Sequence, residues 1–496
     1  MYDLLVIGGG INGAGIARDA AGRGLKVLLC EKDDLASHTS SASTKLIHGG
    51  LRYLEYYDFA LVRKALIERE VLLRSAPHII WPMRFVLPQN RKVRSPLLVR
   101  LGLFLYDHLG GREILPATKV LKRGESDRLD PLNARFSKAF EYSDCWVEDS
   151  RLVVLNAVDA AEHGATILTR TACTDLAIDD GVWNATLLSD GQSTSTVQAR
   201  AVVNAAGPWV DNVAGLANGR SNSEHVRLVK GSHIITKALF PGDHSYFFQN
   251  EDGRIIFAIP YENSDFTLIG TTDESFEGDP QSVHISDEEV GYLCDSANTY
   301  FDQQISPSDV VATYSGVRPL YDDKASEASA VTRDYVLSTS HDRGAPIVSV
   351  YGGKITTYRK LAEDVLSELT ETFENMADPW TKSCPLPGGA ILDADFEAFI
   401  IQQADTLSWM EADTRYRLLR AYGTRIHDLV GDARSMADLG HHYGGGLYQA
   451  EVDYLTQTEF ARTADDILLR RSKLYLHMTA DEQADLKDKL ELGKVA

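Results

Sequence analysis

Three glycines near the N-terminus, Gly8, Gly10 and Gly13, form G-x-G-x-x-G directly after the apolar run Leu4–Leu5–Val6–Ile7. The spacing suits the phosphates of a dinucleotide. Gly8 permits a tight turn, Gly10 lets a pyrophosphate reach the backbone, and Gly13 allows close helix–strand packing with the phosphates at the helix N-terminus. Glycine triplets occur by chance, so context decides. Here the motif opens a helical stretch of small residues from Asn12 to Gly24, followed by a second apolar run, Leu25 to Cys30, that ends at Glu31. An acid about 20 residues beyond the first glycine is placed to accept from ribose hydroxyls. The motif does not separate NAD from FAD.

A second group of residues has different chemistry. Arg84, Arg91, Lys92, Arg94, Arg100 and Arg112 stand together against a single acid, Asp107. Pro96 can start a helix in which Leu97, Leu98, Leu101, Phe104 and Leu105 share one side. A basic, aliphatic and aromatic helix too short to span a bilayer suits a membrane interface. A core helix with a solvated basic flank is the alternative.

The elements that must position these groups can be read coarsely. Residues 4–7, 12–24 and 25–30 make a strand–helix–strand unit of the usual length. Residues 58 to 75 have the pattern of an amphipathic helix. A strand-rich stretch runs from 165 to 275, with Val202–Val203–Asn204–Ala205–Ala206–Gly207 as a sheet strand entering a glycine turn. Ile255 to Ile259 and Thr267 to Ile269 read as strands of a separate antiparallel sheet. Past Cys384–Pro385–Leu386–Pro387–Gly388–Gly389 strand signals stop, which predicts a helical domain behind a Pro/Gly linker.

The chain of 496 residues predicts two or three domains. A net charge of −21 argues against nucleic acid as a partner, because phosphate contacts require a basic surface. The same charge repels anionic lipid and anionic substrates at long range, so either must be met by local cations. Cys30, Cys145, Cys173, Cys294 and Cys384 are scattered, without zinc or iron–sulfur spacing and without a disulfide framework. No metal is expected, and a reducing, cytoplasmic setting fits. The first strand begins at once, leaving no room for a signal peptide. No apolar run approaches the roughly 18 residues of a transmembrane helix.

Several longer blocks carry a family resemblance. They are Ser40–Ser41–Ala42–Ser43–Thr44–Lys45–Leu46–Ile47–His48–Gly49–Gly50–Leu51–Arg52–Tyr53–Leu54, Phe140–Glu141–Tyr142–Ser143–Asp144–Cys145, Lys230–Gly231–Ser232–His233, Ile269–Gly270–Thr271–Thr272–Asp273, Tyr314–Ser315–Gly316–Val317–Arg318–Pro319–Leu320 and Thr332–Arg333–Asp334–Tyr335. In this order they resemble the FAD-dependent glycerol-3-phosphate dehydrogenases, and among them the aerobic, quinone-reducing bacterial branch. Asn204–Ala205–Ala206–Gly207–Pro208–Trp209 and Gly352–Gly353–Lys354–Ile355–Thr356–Thr357 are similar to flavin-contacting segments of the wider glycine-oxidase and amino-acid-oxidase superfamily.

The resemblance implies an α/β (α+β) fold. A two-layer, Rossmann-like FAD-binding domain with a parallel sheet is expected from 1–80, 145–225 and 310–375. An antiparallel-sheet, substrate-binding and membrane-facing domain is expected from 81–144 and 226–309, and a C-terminal helical domain from 385–496. The implied reaction oxidises sn-glycerol 3-phosphate to dihydroxyacetone phosphate and passes electrons to ubiquinone or menaquinone. The enzyme would then sit peripherally on the cytoplasmic face of the inner membrane, and a homodimer is compatible with this. An amine or amino-acid oxidase is the alternative, and a non-catalytic flavin sensor a more distant one.

The expected chemistry assigns roles. Asn12, Ser40, Ser41, Lys45, Leu46, His48, Gly49, Ala206, Gly207, Gly353, Lys354, Thr356 and Thr357 join Gly8, Gly10, Gly13 and Glu31 around FAD. His48, or failing it His233, is the base, because imidazole titrates near neutrality. Arg318 and Arg333 are the phosphate ligands, because a guanidinium forms paired, charge-assisted bonds to phosphate. Arg52, Tyr53 and Lys354 line the substrate pocket, with Lys354 also placed to stabilise negative charge on FAD.

Overall fold

A computed structural model describes residues 1–90, 93–218, 226–322, 334–341 and 344–493. The first strand, Tyr2–Ile7, lies in the middle of a sheet. It pairs in parallel with Val27–Cys30 on one side and Ser193–Asn204 on the other. Ile347–Tyr351 and Thr166–Leu168 extend the parallel set, and Val336–Ser340 closes one edge antiparallel. Leu4 to Ile7 form a continuous apolar run because both faces of the strand are covered. Leu4 and Val6 pack toward the helices Ile11–Gly22, Asp149–Glu162 and Tyr358–Glu368. Leu5 and Ile7 pack against Leu176 and Trp183 of the hairpin Thr171–Asp179/Val182–Ser189 and against helix Val210–Asn218. The cofactor domain therefore has three layers rather than the expected two, since an apolar second face cannot be left in water.

The second sheet has ten strands. It is mixed rather than purely antiparallel, because Ser245–Gln249 runs parallel to Ile80–Pro88. Ile255–Tyr261 and Phe266–Gly270 pair here antiparallel, as expected. Val310–Tyr321 pairs along almost its whole length with Val226–Lys237, and the short strand Leu46–Ile47 pairs with Lys138–Val147. Leu46–Ile47 thus leads the chain from the cofactor sheet into the second sheet, and Val310–Tyr321 precedes its return at Val336–Ser340. Helix Asp287–Tyr300, opened by a Ser286/Glu289 capping box, covers one face. Helices Phe59–Ser75 and Pro96–Leu109 cover the other.

Helix Pro96–Leu109 begins at the proline that marks it in the sequence. Leu103 and Tyr106 are buried, while Leu97, Leu98, Leu101 and Phe104 are 80%, 59%, 56% and 58% exposed. The basic residues around it are less available than their number suggests. Arg84 is bonded to Glu141, Arg94 to Glu55 and Arg112 to the Leu115 carbonyl. Arg100 is exposed. Arg91 and Lys92 lie outside the described residues. Among the described residues no helix is long and apolar enough to cross a membrane.

Beyond the linker the chain packs a core of its own, with Phe399, Leu419, Ile426 and Leu455 at its centre. It is helical as expected, except for a short hairpin of His442–Gly444 with Leu447–Tyr448. Three glycines, Gly444 to Gly446, make that tight turn, and all have positive φ. Buried ion pairs dock this domain on the cofactor domain. Arg151 grips Glu459, and Asp34 accepts from Arg470 and Arg471. Arg170 spans the boundary with two bonds of 2.7 Å to Asp466.

Arg151 and Glu459 are 3% and 1% exposed, so removing one leaves an uncompensated buried charge. Arg151→Met is expected to cost about 3–5 kcal/mol in chemical denaturation, and the pair Arg151→Met with Glu459→Leu much less. Equal losses for the single and double variants would show that the pair does not hold the domains.

Candidate active site

The G-x-G-x-x-G turn is built as its residue types require. Gly8 has φ +114°, and a Cβ there would stand 2.4 Å from the Ala205 carbonyl oxygen. A Cβ on Gly13 would lie 1.9 Å from the Gly8 oxygen, so Gly13 is a packing residue behind the turn. Gly10 precedes helix Ile11–Gly22, and Gly10, Ile11 and Asn12 at the start of that helix line the cavity. Ser40 Oγ accepts from Ile11 N–H at 3.0 Å and so ties the 37–45 segment to that turn. Glu31 ends the second strand. Its buried carboxylate accepts from Gly9 N–H at 2.6 Å and Asp33 N–H at 2.8 Å, and burial raises its pKa.

From this turn a cavity of about 480 Å³ runs to the second sheet. Its nucleotide end is walled by Gly8, Gly10, Asn12, Glu31, Ser40, Ala206 and Gly207. Its far end is walled by Leu46, His48, Arg52, Tyr53, Arg318, Gly353, Lys354 and Thr356, so segments more than 300 residues apart converge there. Asn12 spans the join. Its Nδ2 donates to the Gly352 carbonyl at 3.2 Å, while its buried Oδ1 has no hydrogen-bond partner.

Other expected residues stand behind the wall. Lys45 is buried with its ammonium 2.7 Å from Asp149. Ser41 bonds the His38 carbonyl, and Thr357 precedes helix Tyr358–Glu368. Gly49 donates its N–H to the Tyr106 hydroxyl. Arg333 lies outside the described residues.

The two histidines differ sharply. His48 is on the wall, its N–H bonded to Thr356 Oγ1 at 3.2 Å. Burial, then the charges of Lys354 and Arg69, lower its pKa to about 4, so it is neutral at physiological pH. His233 lies one side chain further out. Its Nε2 pairs with Thr44 Oγ1 at 3.0 Å, its ring stacks on Tyr314, and its Nδ1 has no hydrogen-bond partner. Burial, then Arg318 and Lys45, hold it well below its ordinary pKa. It touches the cavity only through Thr44.

Three cations, Arg52, Arg318 and Lys354, line the far end. Arg318 is oriented by Asp273 at 2.9 Å and Thr271 Oγ1 at 3.2 Å. The Lys354 ammonium sits 3.7 Å from the Tyr53 ring centroid. Arg254, which the sequence reading missed, also lines the cavity, with its guanidinium 4.9 Å over the Tyr292 ring. Arg254 follows Asp252–Gly253 in what reads as an ordinary surface turn, and only the pairing of Ile255–Tyr261 carries it to the cavity. Phe85, Tyr142 and Phe257 supply an apolar wall opposite. Such an end can hold a small phosphorylated molecule against a neutral imidazole.

FAD fits the residues present. The glycine turn leaves backbone where side chains would clash, Glu31 is held at a strand end for a ribose, and Asn12 Oδ1 is a buried acceptor still unpartnered. Gly353, at φ +101°, lets the late segment close over the same cavity.

Comparison with known proteins agrees with this construction. Residues 3–359 match the model of the FAD-dependent oxidoreductase family, and residues 379–490 match the C-terminal domain of alpha-glycerophosphate oxidase. The chain is 54% identical to D-erythritol 1-phosphate dehydrogenase of Brucella abortus, over 97% of this chain and 96% of that protein. It is 52% identical to glycerol-3-phosphate dehydrogenase of Pseudomonas aeruginosa, over 99% and 95%. A solved glycerol-3-phosphate dehydrogenase from Bacillus halodurans, complexed with FAD, superposes with a TM-score of 0.77 at 26% identity, covering 99% of this chain and 94% of that one. The resemblance carried by the motifs thus extends over essentially the whole chain, which belongs to the FAD-dependent oxidoreductase family.

Proposed function

We propose that the chain oxidises sn-glycerol 3-phosphate to dihydroxyacetone phosphate. The observation that carries this is that Arg52, Arg318 and Lys354 line, with a neutral His48, the cavity that begins at the dinucleotide turn. FAD, when bound, supplies the hydride acceptor. His48 takes the proton of the C2 hydroxyl as the C2–H pair leaves, so the substrate loses two electrons and two hydrogens. Arg318, fixed by Asp273 and Thr271, holds the phosphate with charge-assisted bonds, with Arg333 proposed beside it. Arg52 and Lys354 add positive charge, which offsets the −21 of the chain where an anion must enter. His233, behind Thr44, is the second candidate for the base. Glycine and other amino-acid substrates are disfavoured, because a lone carboxylate does not need three cations.

The sharpest rival substrate is D-erythritol 1-phosphate, named for the 54% identical relative. It carries the same phosphate on a chain one carbon longer, and the two substrates can be separated directly. Anaerobic mixing with glycerol 3-phosphate should bleach the flavin absorbance rapidly, erythritol 1-phosphate more slowly, and glycine or sarcosine not at all. Faster bleaching by erythritol 1-phosphate would reassign the substrate, and bleaching by glycine alone would reassign the class.

His48 yields a second expectation. His48→Asn should retain FAD and slow its reduction by about 10²–10⁴-fold. Because the folded pKa is depressed to about 4, the neutral form persists from neutral pH down to that value. The acid limb of kcat/KM should lie near pH 4 and move to higher pH in Lys354→Met, where one repelling charge is gone. A limb that stays in place would separate Lys354 from His48.

We further propose that electrons pass to ubiquinone or menaquinone and that the enzyme docks peripherally on the cytoplasmic membrane. Support comes from the outer face of helix Pro96–Leu109, where four apolar side chains are each more than half exposed. Each Å² withdrawn from water there contributes about 25 cal/mol. Replacing Leu98, Leu101 and Phe104 with Ser should release the enzyme into the soluble fraction. Activity with a water-soluble dye should survive while activity with a membrane quinone falls. Continued sedimentation with membranes would move the anchor elsewhere.

A further inference from the structure

Gly49 follows His48 directly, and its N–H is taken by a hydroxyl from a distant helix. It donates to Tyr106 Oη at 2.7 Å and, more weakly, to Asp144 Oδ1 at 3.4 Å. Tyr106 in turn donates to the Asp144 carboxylate, with 2.8 Å to either oxygen. Arg69 completes the group, at 2.7 Å from Asp144 Oδ1 and 3.0 Å from the Ser143 carbonyl. Tyr106, Asp144 and Arg69 are each 3% exposed, so these bonds do not compete with water. Burial, and then the Asp144 charge, hold the Tyr106 phenol well above its ordinary pKa, so it remains both donor and acceptor.

The geometry selects glycine at 49. A Cβ there would stand 2.4 Å from Leu66 Cδ2 and 2.8 Å from the Tyr106 oxygen, and the hydroxyl could not approach. On the other side of the imidazole, the His48 N–H is bonded to Thr356 Oγ1 at 3.2 Å. The two peptide groups that flank His48 are therefore each pinned by a side chain from another part of the chain. Neither pin touches the ring.

We propose that Tyr106 is a positioning residue for His48, acting through the Gly49 N–H and itself fixed by Asp144 and Arg69. The proposal rests on the reading of His48 as the base. Without the hydroxyl, the Gly49 N–H keeps only the 3.4 Å contact to Asp144, and the His48–Gly50 segment gains freedom. Gly50 is already in the left-handed region, at φ +79°, which makes the segment easy to swing.

The test is a double-mutant cycle of Tyr106→Phe with His48→Asn, read as the rate of FAD reduction by glycerol 3-phosphate in rapid mixing. Rates are taken per bound FAD, so partial loss of cofactor does not enter. Tyr106→Phe should keep the substrate dissociation constant and slow reduction by about 10–100-fold. In the His48→Asn background it should slow reduction no further, because the group it positions is gone. The same slowing in both backgrounds, or an unslowed Tyr106→Phe, would overturn the proposal. So would a Tyr106→Phe protein that takes up no FAD, since Tyr106 would then hold the fold rather than His48. Full speed in His48→Asn alone is a different failure. It removes the base assignment itself.

Discussion

The molecule is organised around a contact between two pieces of backbone. The turn after the first strand and the turn after Asn204 meet so closely that no side chain fits at Gly8, and Gly13 closes on Gly8 from behind. That approach is possible because Tyr2–Ile7 and Ser193–Asn204 are adjacent parallel strands in register, Ile7 opposite Asn204. Both turns then leave the carboxyl ends of neighbouring strands, where open α/β sheets bind ligands. The three-layer packing keeps those strand ends in place. A slip of one residue in that register would carry Leu5 and Ile7 to the wrong face and separate the turns.

Electrostatics at the far end follow a second constraint. His48 stays neutral because it is buried beside the charges of Lys354 and Arg69, of which Lys354 lines the same cavity. A carboxylate in its place would cancel positive charge at that end. An imidazole is proton-accepting when neutral and adds no negative charge. Arg318 is kept from collapsing onto the site by its own acid, Asp273, which sets its direction while sharing its donors.

How much of this was legible in the chain depends on how local the cause is. The glycine turn, the strand beside it and the helix starting at Pro96 are local events, and residue type and spacing reveal them. Burial of Leu103 and Tyr106 against exposure of Leu98 and Phe104 follows from helical period alone. Arg254, Asp273 and Tyr106 were not legible as site residues, since each reaches the cavity or His48 through pairing between distant strands or helices. Lys45 shows the converse. It stands within a site-like block, yet a buried acid 104 residues away, Asp149, draws its ammonium off the wall. The third layer of the cofactor domain was implied by Leu4–Ile7 being apolar on both faces, but which segment supplies it is a matter of topology.

The dispersal of the site along the chain has a consequence for how the protein is made. The turn at Gly8 to Gly13 leaves the ribosome first, but the segment Gly352–Thr357 that completes the same cavity follows after more than 300 further residues. At typical synthesis rates of about 5–20 residues per second, that interval is on the order of tens of seconds. Until Ser193–Asn204 is made the central strand lacks one neighbour, and that neighbour in turn waits for Ile347–Tyr351. FAD cannot be fully enclosed until this late segment arrives. Full enclosure of the cofactor is therefore tied to the last strand of the sheet to be made, not to the glycine turn that starts it.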